Sequence, residues 1–239
     1  MGKDVNKETI AIIGGTGNLG LGLALRWAQA GVPILIGSRE ATKAVEAAGK
    51  VVEKLRAYAP GDPSAKLSVA GFENAQAARQ ASVVVVAVPY PAQVGILKSI
   101  RGSLQDCICV DATVPLAATL GGKATRMVGV WQGSAAEQAR ELVPAGIPVV
   151  AAFHNLSAEA LQDLSAPLDC DILVCGDDEP AKQRLYPLVK LVDGLQPIDA
   201  GPLEMARMVE SLTALLISLN RRYKVGHSGI RITGLNPPS

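Results

Sequence analysis

Short apolar runs alternate along the chain with longer segments in which apolar residues recur every three or four positions. Eight of the runs have strand length, and most are apolar throughout, as is typical of parallel strands covered on both faces. The predicted strands are Thr9–Ile13, Ile34–Gly37, Lys66–Ala70, Ser82–Val88, Cys107–Asp111, Pro148–Phe153, Asp171–Cys175 and Gln196–Asp199.

Helical patterns fill most of the intervals between these strands. The predicted helices cover residues 18–30, 41–58, 73–81, 92–100, 135–142, 158–163 and 180–192. Gly31 is a typical stop for the first helix, and "PGDP" at 60–63 predicts a loop after the second. This strand–helix alternation predicts an α/β fold with a doubly wound, mostly parallel Rossmann sheet.

The last segment departs from that rhythm. From Pro202 onward the apolar residues lie on one helical face: Met205, Met208, Val209, Leu212, Leu215, Leu216 and Leu219. Basic residues suit the end of this helix, Gly226 is the predicted stop, and Ile230–Ile232 is the one later strand candidate. We therefore expect a sheet domain over residues 1–200 and a C-terminal helix and tail over 201–239. The helix would close a pocket or pair with a second subunit.

Composition narrows the function classes. The chain has 239 residues, a net charge of +1 and 3% aromatic residues, so the clustered basic and stacking side chains of a nucleic-acid-binding protein are not expected. Its apolar runs are much shorter than the roughly 20 residues that span a bilayer, and the polar start "MGKDVNKE" does not resemble a signal peptide. The four cysteines fit no zinc spacing, which favours buried free thiols, a cytoplasmic location and no metal site.

A glycine-rich stretch directly follows the first predicted strand. Gly15, Thr16, Gly17, Asn18, Leu19 and Gly20 fit the pattern G-x-G-x-x-G and open the first helix. A pyrophosphate can lie against the amide N–H groups at that helix start, and a Cβ at Gly17 would hold it away. The motif in this context predicts a dinucleotide site.

The end of the second strand indicates which dinucleotide binds. NAD-binding sheets usually carry Asp or Glu here, but this chain reads "IGSREATK". Ser38 and Arg39 can hydrogen-bond a 2′-phosphate, Lys43 adds a positive charge, and Glu40 is expected to point to solvent. These residues predict NADP.

Other candidate residues follow the later strands. Val88 and Pro89 follow the fourth strand and Val114 the fifth, so they should flank the dinucleotide. The two histidines, His154 and His227, are the candidate general acids. Since no Ser–His–Asp order, paired carboxylates or metal cluster stands out, the pattern favours hydride transfer to an acceptor that has its own electron sink.

Several segments together resemble the NADPH-dependent oxidoreductases of the deazaflavin coenzyme F-420. The resemblance runs in order through "IAIIGGTGNLGLGLALRWAQAG", "IGSREATK", "VPYPAQ", "AAFHNLSAEAL", "LVCGDD" and "VDGLQPIDAGPLEMARMVESLTALLISLNRRYKVGHSGIRI". It implies that NADP lies across the sheet, along Val88, Val114 and Ala158, and that the deazaflavin lies between the sheet and the C-terminal segment. The residues implied to border the deazaflavin are His154, Asn155, Leu156, Gly226, His227, Ser228 and Gly229. The resemblance also implies a homodimer.

Three functions are compatible with these residues. The first is hydride transfer between NADP(H) and coenzyme F-420, in which His154 orients or polarises the deazaflavin. The second is NADPH-dependent reduction of another small molecule: a flavin, a ferric chelate, or a carbonyl or imine compound. The third is a non-catalytic NADP sensor whose C-terminal helix binds a partner.

Overall fold

The computed structural model describes residues 8–58 and 67–235. In this part of the chain the strands form one sheet in the order β3-β2-β1-β4-β5-β6-β7-β8. They are β1 (Ile10–Ile13), β2 (Ile34–Ser38), β3 (Val69–Glu73), β4 (Val83–Val86), β5 (Ile108–Asp111), β6 (Val149–Ala151), β7 (Cys170–Gly176) and β8 (Leu195–Asp199). The order confirms the doubly wound architecture, in which the chain starts at the centre and builds outward on both sides.

Helices cover both faces of the sheet. They are α1 (Asn18–Gln29), α2 (Ala41–Tyr58), α3 (Asn74–Arg79), α4 (Tyr90–Ile100), α5 (Ala135–Leu142), α6 (Ala158–Gln162), α7 (Glu179–Lys190) and α8 (Ala206–Tyr223). Every residue of β1 and β4 is buried, as two-sided coverage requires. On one face Trp27 of α1 packs edge-on against Phe153, with 5.6 Å between the ring centroids. No described helix is long and apolar enough to cross a membrane.

The sheet reverses direction after β6. β6 pairs with β7 in antiparallel register, Val150 opposite Gly176, and β8 then runs parallel to β7. The start of β7 therefore lies at the edge where β1 to β6 end. The "CGDD" segment lies at the opposite edge, where Asp178 accepts a hydrogen bond from Ala181 N at 2.8 Å and begins α7.

All eight strands are found near their predicted positions with bounds that differ by one to three residues, and the differences at the third and sixth strands have a clear structural reason. The third was predicted at 66–70, of which Lys66 is outside the described residues, and it is found at Val69–Glu73. Its position is set by pairing with β2, which places Val69 opposite Ile34. The sixth strand ends at Ala151 instead of Phe153, because Phe153 has a φ of 70° and turns the chain out of the sheet.

The C-terminal segment differs from its prediction in three respects. Lys224, with a φ of 54°, ends α8, so Gly226 is not the stop. Ile230–Ile232 forms no strand, although Ile230 O accepts a hydrogen bond from Asp171 N at 2.7 Å. The single apolar face is split: Val209 is buried, whereas Met208 is 64% exposed. The "PGDP" loop lies outside the described residues.

Candidate dinucleotide and acceptor site

The carboxyl ends of β1 to β6 meet along one edge of the sheet. Gly14 N donates to Gly37 O at 3.2 Å, which joins the turn after β1 to the end of β2. On the other side of β1, a Cβ at Gly14 would lie 2.6 Å from Val88 Cγ1. Ala112 N donates to Val86 O at 3.0 Å and Ala152 N to Asp111 O at 3.1 Å, so the ends of β4, β5 and β6 continue the same line.

The glycines at this edge meet two different requirements. A Cβ at Gly20 would lie 2.7 Å from Gly15 Cα, and one at Gly15 would lie 2.8 Å from Ile12 O, so these two allow α1 to pack against β1. Gly17 is exposed and a Cβ there would meet only Gly14 O, at 3.3 Å. Little inside the protein requires glycine at 17, which is the expected result if the space beyond it is reserved for a ligand.

The start of α1 offers free hydrogen-bond donors. Gly17 is its N-cap and no side chain caps it. The N–H groups of Asn18 and Leu19 belong to the first turn, where an α-helix supplies no acceptor. Thr16, Gly17 and Asn18 are exposed beside them, so an anion can reach this positive helix end.

The predicted phosphate residues lie together at the end of β2. Ser38 is buried, and its Oγ accepts a hydrogen bond from Glu40 N at 3.3 Å. Arg39 is exposed and has no ion-pair partner in the described part of the chain. Lys43 Nζ lies 2.6 Å from Glu40 Oε1, so Glu40, although exposed, neutralises Lys43 instead of pointing away from it.

The apolar candidates lie along the same edge. Val88 and Val114 are half-buried, and Pro89 is exposed at the N-cap of α4. Ala158 begins α6, which packs against α1: Gln162 Nε2 donates to Asn18 O at 3.0 Å. The structure thus brings α6 beside the glycine turn, as the placement of Ala158 on the NADP path requires.

His154 lies in the turn after β6, close to where the sequence placed it. It is buried, and neither ring nitrogen has a hydrogen-bond partner among the described residues. Burial lowers the pKa of His154 to about 4, so the imidazole is neutral at physiological pH. A buried polar atom without a partner costs about 1–3 kcal/mol, and a ligand that hydrogen-bonds these nitrogens would recover that cost.

Asn155 and the C-terminal tail lie near each other at the start of β7. Asn155 Nδ2 donates to Asp171 O at 2.8 Å and to Cys170 Sγ at 3.1 Å, and its Oδ1 has no donor among the described residues. Gly229 lies beside the residue that precedes β7, since a Cβ added to Gly229 would be 2.6 Å from Asp169 O.

The other predicted acceptor residues differ in exposure. Leu156 is half-buried, Gly226 and His227 are exposed, and Ser228 Oγ is buried without a partner among the described residues. Because His227 is exposed, water competes with a ligand for its ring nitrogens.

A buried polar network beneath this edge was not anticipated from the sequence. Glu210 of α8 accepts hydrogen bonds from Ala135 N and Ala136 N, both at 3.0 Å, and Gln93 Nε2 donates to Asp111 Oδ2 at 2.8 Å. Burial raises the pKa of Asp111 to about 7 and that of Glu210 to about 8. Glu210 could have been noticed as the one acidic residue on the buried face of α8.

Thr213 connects α8 directly to His154. Its Oγ1 donates to His154 O at 2.7 Å, so the C-terminal helix fixes the turn that carries the histidine. In the residues that the structure describes, no cluster of His, Cys, Asp and Glu could hold a metal ion.

Known proteins resemble this chain over nearly its whole length. Residues 9–115 match the family of coenzyme F420-dependent NADP oxidoreductases. The chain is 49% identical over 227 residues to an F420-dependent NADP reductase of Methanothermobacter thermautotrophicus, covering 95% of each chain. It is 43% identical to the enzyme of the same name from Methanocaldococcus jannaschii, covering 95% of this chain and 98% of that one.

Solved structures agree with the fold. A protein from Arthrobacter sp. FB24, assigned to the F420-dependent NADP reductases, superposes with a TM-score of 0.77 at 25% identity, covering 95% of this chain and 99% of that one. Pyrroline carboxylate reductase of Plasmodium falciparum gives a TM-score of 0.55 at 12% identity, over 91% of this chain and 68% of that one, which shows the fold alone. The high identity to the two archaeal enzymes over nearly the whole of each chain places this chain in the family of F420-dependent NADP reductases.

Proposed function

We propose that the protein transfers a hydride between NADP(H) and the deazaflavin coenzyme F-420. The observation that carries this proposal is the pair of adjacent, buried residues His154 and Asn155, whose ring nitrogens and amide oxygen have no partner among the described residues. These two residues lie at the same edge of the sheet as the glycine turn, next to the C-terminal tail. The names of the relatives, which are F420-dependent NADP reductases, support the same two ligands.

The residues fit NADP at one end of this edge. The pyrophosphate would lie on Thr16, Gly17, Asn18 and Leu19, where N–H groups of the helix start are free and Gly17 leaves room. Ser38 and Arg39 would hold the 2′-phosphate, and Lys43 would contribute once its ion pair with Glu40 opens. Gly15 and Gly20 allow the close approach of α1. The apolar residues along the path would be Val88, Pro89, Val114 and Ala158.

The deazaflavin would lie at the other end. His154, Asn155 and Leu156 would form one wall, and Gly226, His227, Ser228 and Gly229 the other. When both ligands are bound, the nicotinamide supplies a hydride and the deazaflavin ring accepts it, or the reverse.

The chain's own part in this chemistry is alignment and exclusion of water. His154 is buried and neutral, so it can donate and accept hydrogen bonds without placing a charge beside the ring. Thr213 and Asp171 fix the turn that carries His154 and Asn155, which limits the arrangements of the acceptor wall. His154 is therefore expected to orient the acceptor without being indispensable.

We also propose that the protein is a cytoplasmic homodimer that pairs through α8. Large apolar side chains on one face of this helix are exposed: Met208 (64%), Leu215 (52%) and Tyr223 (68%). A second copy would cover that stripe. The four cysteines are free and buried, which suits a reducing compartment.

An acceptor screen tests the proposed function. The protein is mixed with NADPH and, separately, with oxidised deazaflavin, a flavin, a ferric chelate, a small carbonyl compound and a small imine. Loss of the deazaflavin's visible absorbance, at a rate well above that of NADPH oxidation by the other acceptors, is the expected result. Deazaflavin reduction no faster than without protein would refute the proposal.

A further inference from the structure

The C-terminal tail is firmly attached although it has no regular secondary structure. Arg231 donates three hydrogen bonds: Nε to Asp169 Oδ1 at 2.6 Å, Nη1 to Asp171 Oδ1 at 2.7 Å and Nη2 to Gly194 O at 3.0 Å. Ile232 N donates to the second carboxylate oxygen of Asp171 at 2.7 Å. The planar guanidinium thus joins the tail to the loops that precede β7 and β8.

Asp171 can hold the tail because one backbone edge of β7 is open at this point. β6 pairs only with Cys175 and Gly176 at the far end of β7. Asp171 N, which faces away from β8, donates to Ile230 O at 2.7 Å, so the tail occupies the position of a missing strand. The Asp171 side chain is only 6% exposed, so its charge depends on Arg231 and Ile232 N for compensation.

The same residue orients Asn155. Asp171 O accepts the hydrogen bond from Asn155 Nδ2 at 2.8 Å, which fixes the amide nitrogen against the strand. The Oδ1 of Asn155 is left as a buried acceptor without a partner in the described chain. The orientation of this amide therefore follows from the position of β7.

The tail also sets the opposite wall of the proposed acceptor site. Gly229 lies next to the residue whose carbonyl bonds Asp171, and a Cβ there would be 2.6 Å from Asp169 O. Ser228, one residue earlier, has a buried Oγ without a partner in the described chain. Asp171 thus contacts Asn155 of one wall through its carbonyl. Through its N–H and its carboxylate it holds residues 230–232, which directly follow the other wall.

We propose that Arg231 is a positioning residue for the acceptor: by bonding Asp171 and Asp169 it holds the turn 226–229 opposite Asn155 at the separation that the deazaflavin requires. The proposal rests on the function proposed above. Arg231 does not touch the acceptor, and its contribution is preorganisation, which lowers the entropy lost when the ligand binds.

The test compares Arg231→Gln and Arg231→Lys with the wild-type protein and with Arg221→Gln, a control that removes another exposed positive charge near the end of α8. Deazaflavin binding is titrated by absorbance without NADPH, and NADPH binding is titrated separately. Hydrogen exchange of residues 226–235 reports the tail directly. Steady-state kinetics then separate KM from kcat.

Arg231→Gln should weaken deazaflavin binding and raise its KM by about tenfold or more, leave NADPH affinity within about twofold, and speed exchange in the tail. Arg231→Lys, which keeps the charge but not the planar fork, should be intermediate, and Arg221→Gln should behave as wild type. Unchanged deazaflavin affinity in Arg231→Gln would overturn the inference, as would equal losses for both ligands. A wild-type protein that does not reduce deazaflavin at all would refute the proposed function and the positioning role together. An active wild type with an unaffected Arg231→Gln would refute only the positioning role.

Discussion

Arg39 is the residue on which we propose that the choice of NADP over NAD depends most. It follows directly after β2, is exposed, and has no ion-pair partner among the described residues, whereas Lys43 next to it is paired with Glu40. A guanidinium free of internal partners is ready to bind a phosphate.

Replacing Arg39 with Ala should weaken NADPH binding by about tenfold or more, because a charge-assisted hydrogen bond contributes about 1.5–3 kcal/mol. NADH binding should change little. Calorimetric titration of both dinucleotides measures the difference. Glu40→Gln is the matched control: it releases Lys43 and should not weaken NADPH. Equal losses of NADPH and NADH in Arg39→Ala would show that the second strand has been misinterpreted.

His154 makes stability depend on pH in a direction that follows from its burial. Its pKa falls from 6.5 to about 4 on folding, so in that range the unfolded chain binds a proton that the folded chain does not. Stability is then lost as the pH falls below 6.5. Asp111 and Glu210, whose folded pKa values are raised by burial, act in the opposite direction and destabilise the fold as the pH rises towards about 7 and about 8.

Between about pH 7.5 and pH 5, His154 should lower the free energy of unfolding by about 2 kcal/mol. His154→Gln should lack that loss, and His227→Gln should retain it because His227 is exposed. Urea unfolding of the three proteins at both pH values gives the comparison. If His154→Gln loses as much free energy of unfolding between the two pH values as the wild type does, the histidine is not buried as described.

At the start of α1, one glycine is needed for packing and another leaves space that a ligand can fill. Gly20 is needed for α1 to pack on β1, whereas Gly17 has space for a Cβ and a φ of −80° that any residue adopts. We therefore propose that glycine is required at 17 by the bound dinucleotide and not by the fold.

Gly17→Ala should fold with nearly wild-type stability and lose at least about tenfold in NADPH affinity, because the added methyl occupies the pyrophosphate position. Gly20→Ala should instead lower the free energy of unfolding by about 1–3 kcal/mol through overpacking. Thermal unfolding and NADPH titration of both variants separate the two effects. Unchanged NADPH binding in Gly17→Ala would contradict the location of the site.

The elements that sequence patterns predicted correctly are those whose signals are local. The turn before α1 and the end of β2 were predicted from a few adjacent residues, and the structure has α1 beginning at Asn18 and β2 ending at Ser38. The bounds of β3 were wrong because they follow from pairing with β2, not from the hydrophobicity of β3. The ion pair between Lys43 and Glu40 was missed, although a spacing of three residues at the start of α2 favours it.

The reversal at β7 was also missed. After β6 the chain re-enters the sheet at the edge where β6 ends, so that β7 runs antiparallel to β6. This reversal brings the start of β7 to the site and lets Asp171 hold the tail, which no periodicity in the sequence reveals.

On the scale of the whole molecule, α8 exposes a stripe of large apolar side chains that nothing in the described residues covers. Met208, Leu215 and Tyr223 lie on one helical face beside the buried Val209. Because α8 also bonds His154 O through Thr213, pairing of two copies through this helix would stabilise the acceptor wall.

Combining Met208→Glu with Leu215→Glu should convert the proposed dimer to a monomer, because each charge would be buried in the interface. Val45→Glu, which places a charge at another exposed apolar residue (58% exposed) on α2, should leave the dimer intact. Light scattering coupled to size exclusion measures the mass. A monomeric wild type, or a double variant that stays dimeric, would exclude this interface.

The central claim is that the chain holds the nicotinamide and the deazaflavin against each other, so that the hydride passes directly between them. Isotope transfer tests this most directly: NADPH deuterated at either face of the nicotinamide C4 is oxidised by the protein with deazaflavin in ordinary water, and the reduced deazaflavin is analysed by mass spectrometry and NMR. We predict that deuterium from one face alone appears quantitatively on the reduced deazaflavin and that none is released to water. Appearance of the label in water, or its absence from the deazaflavin, would contradict the account.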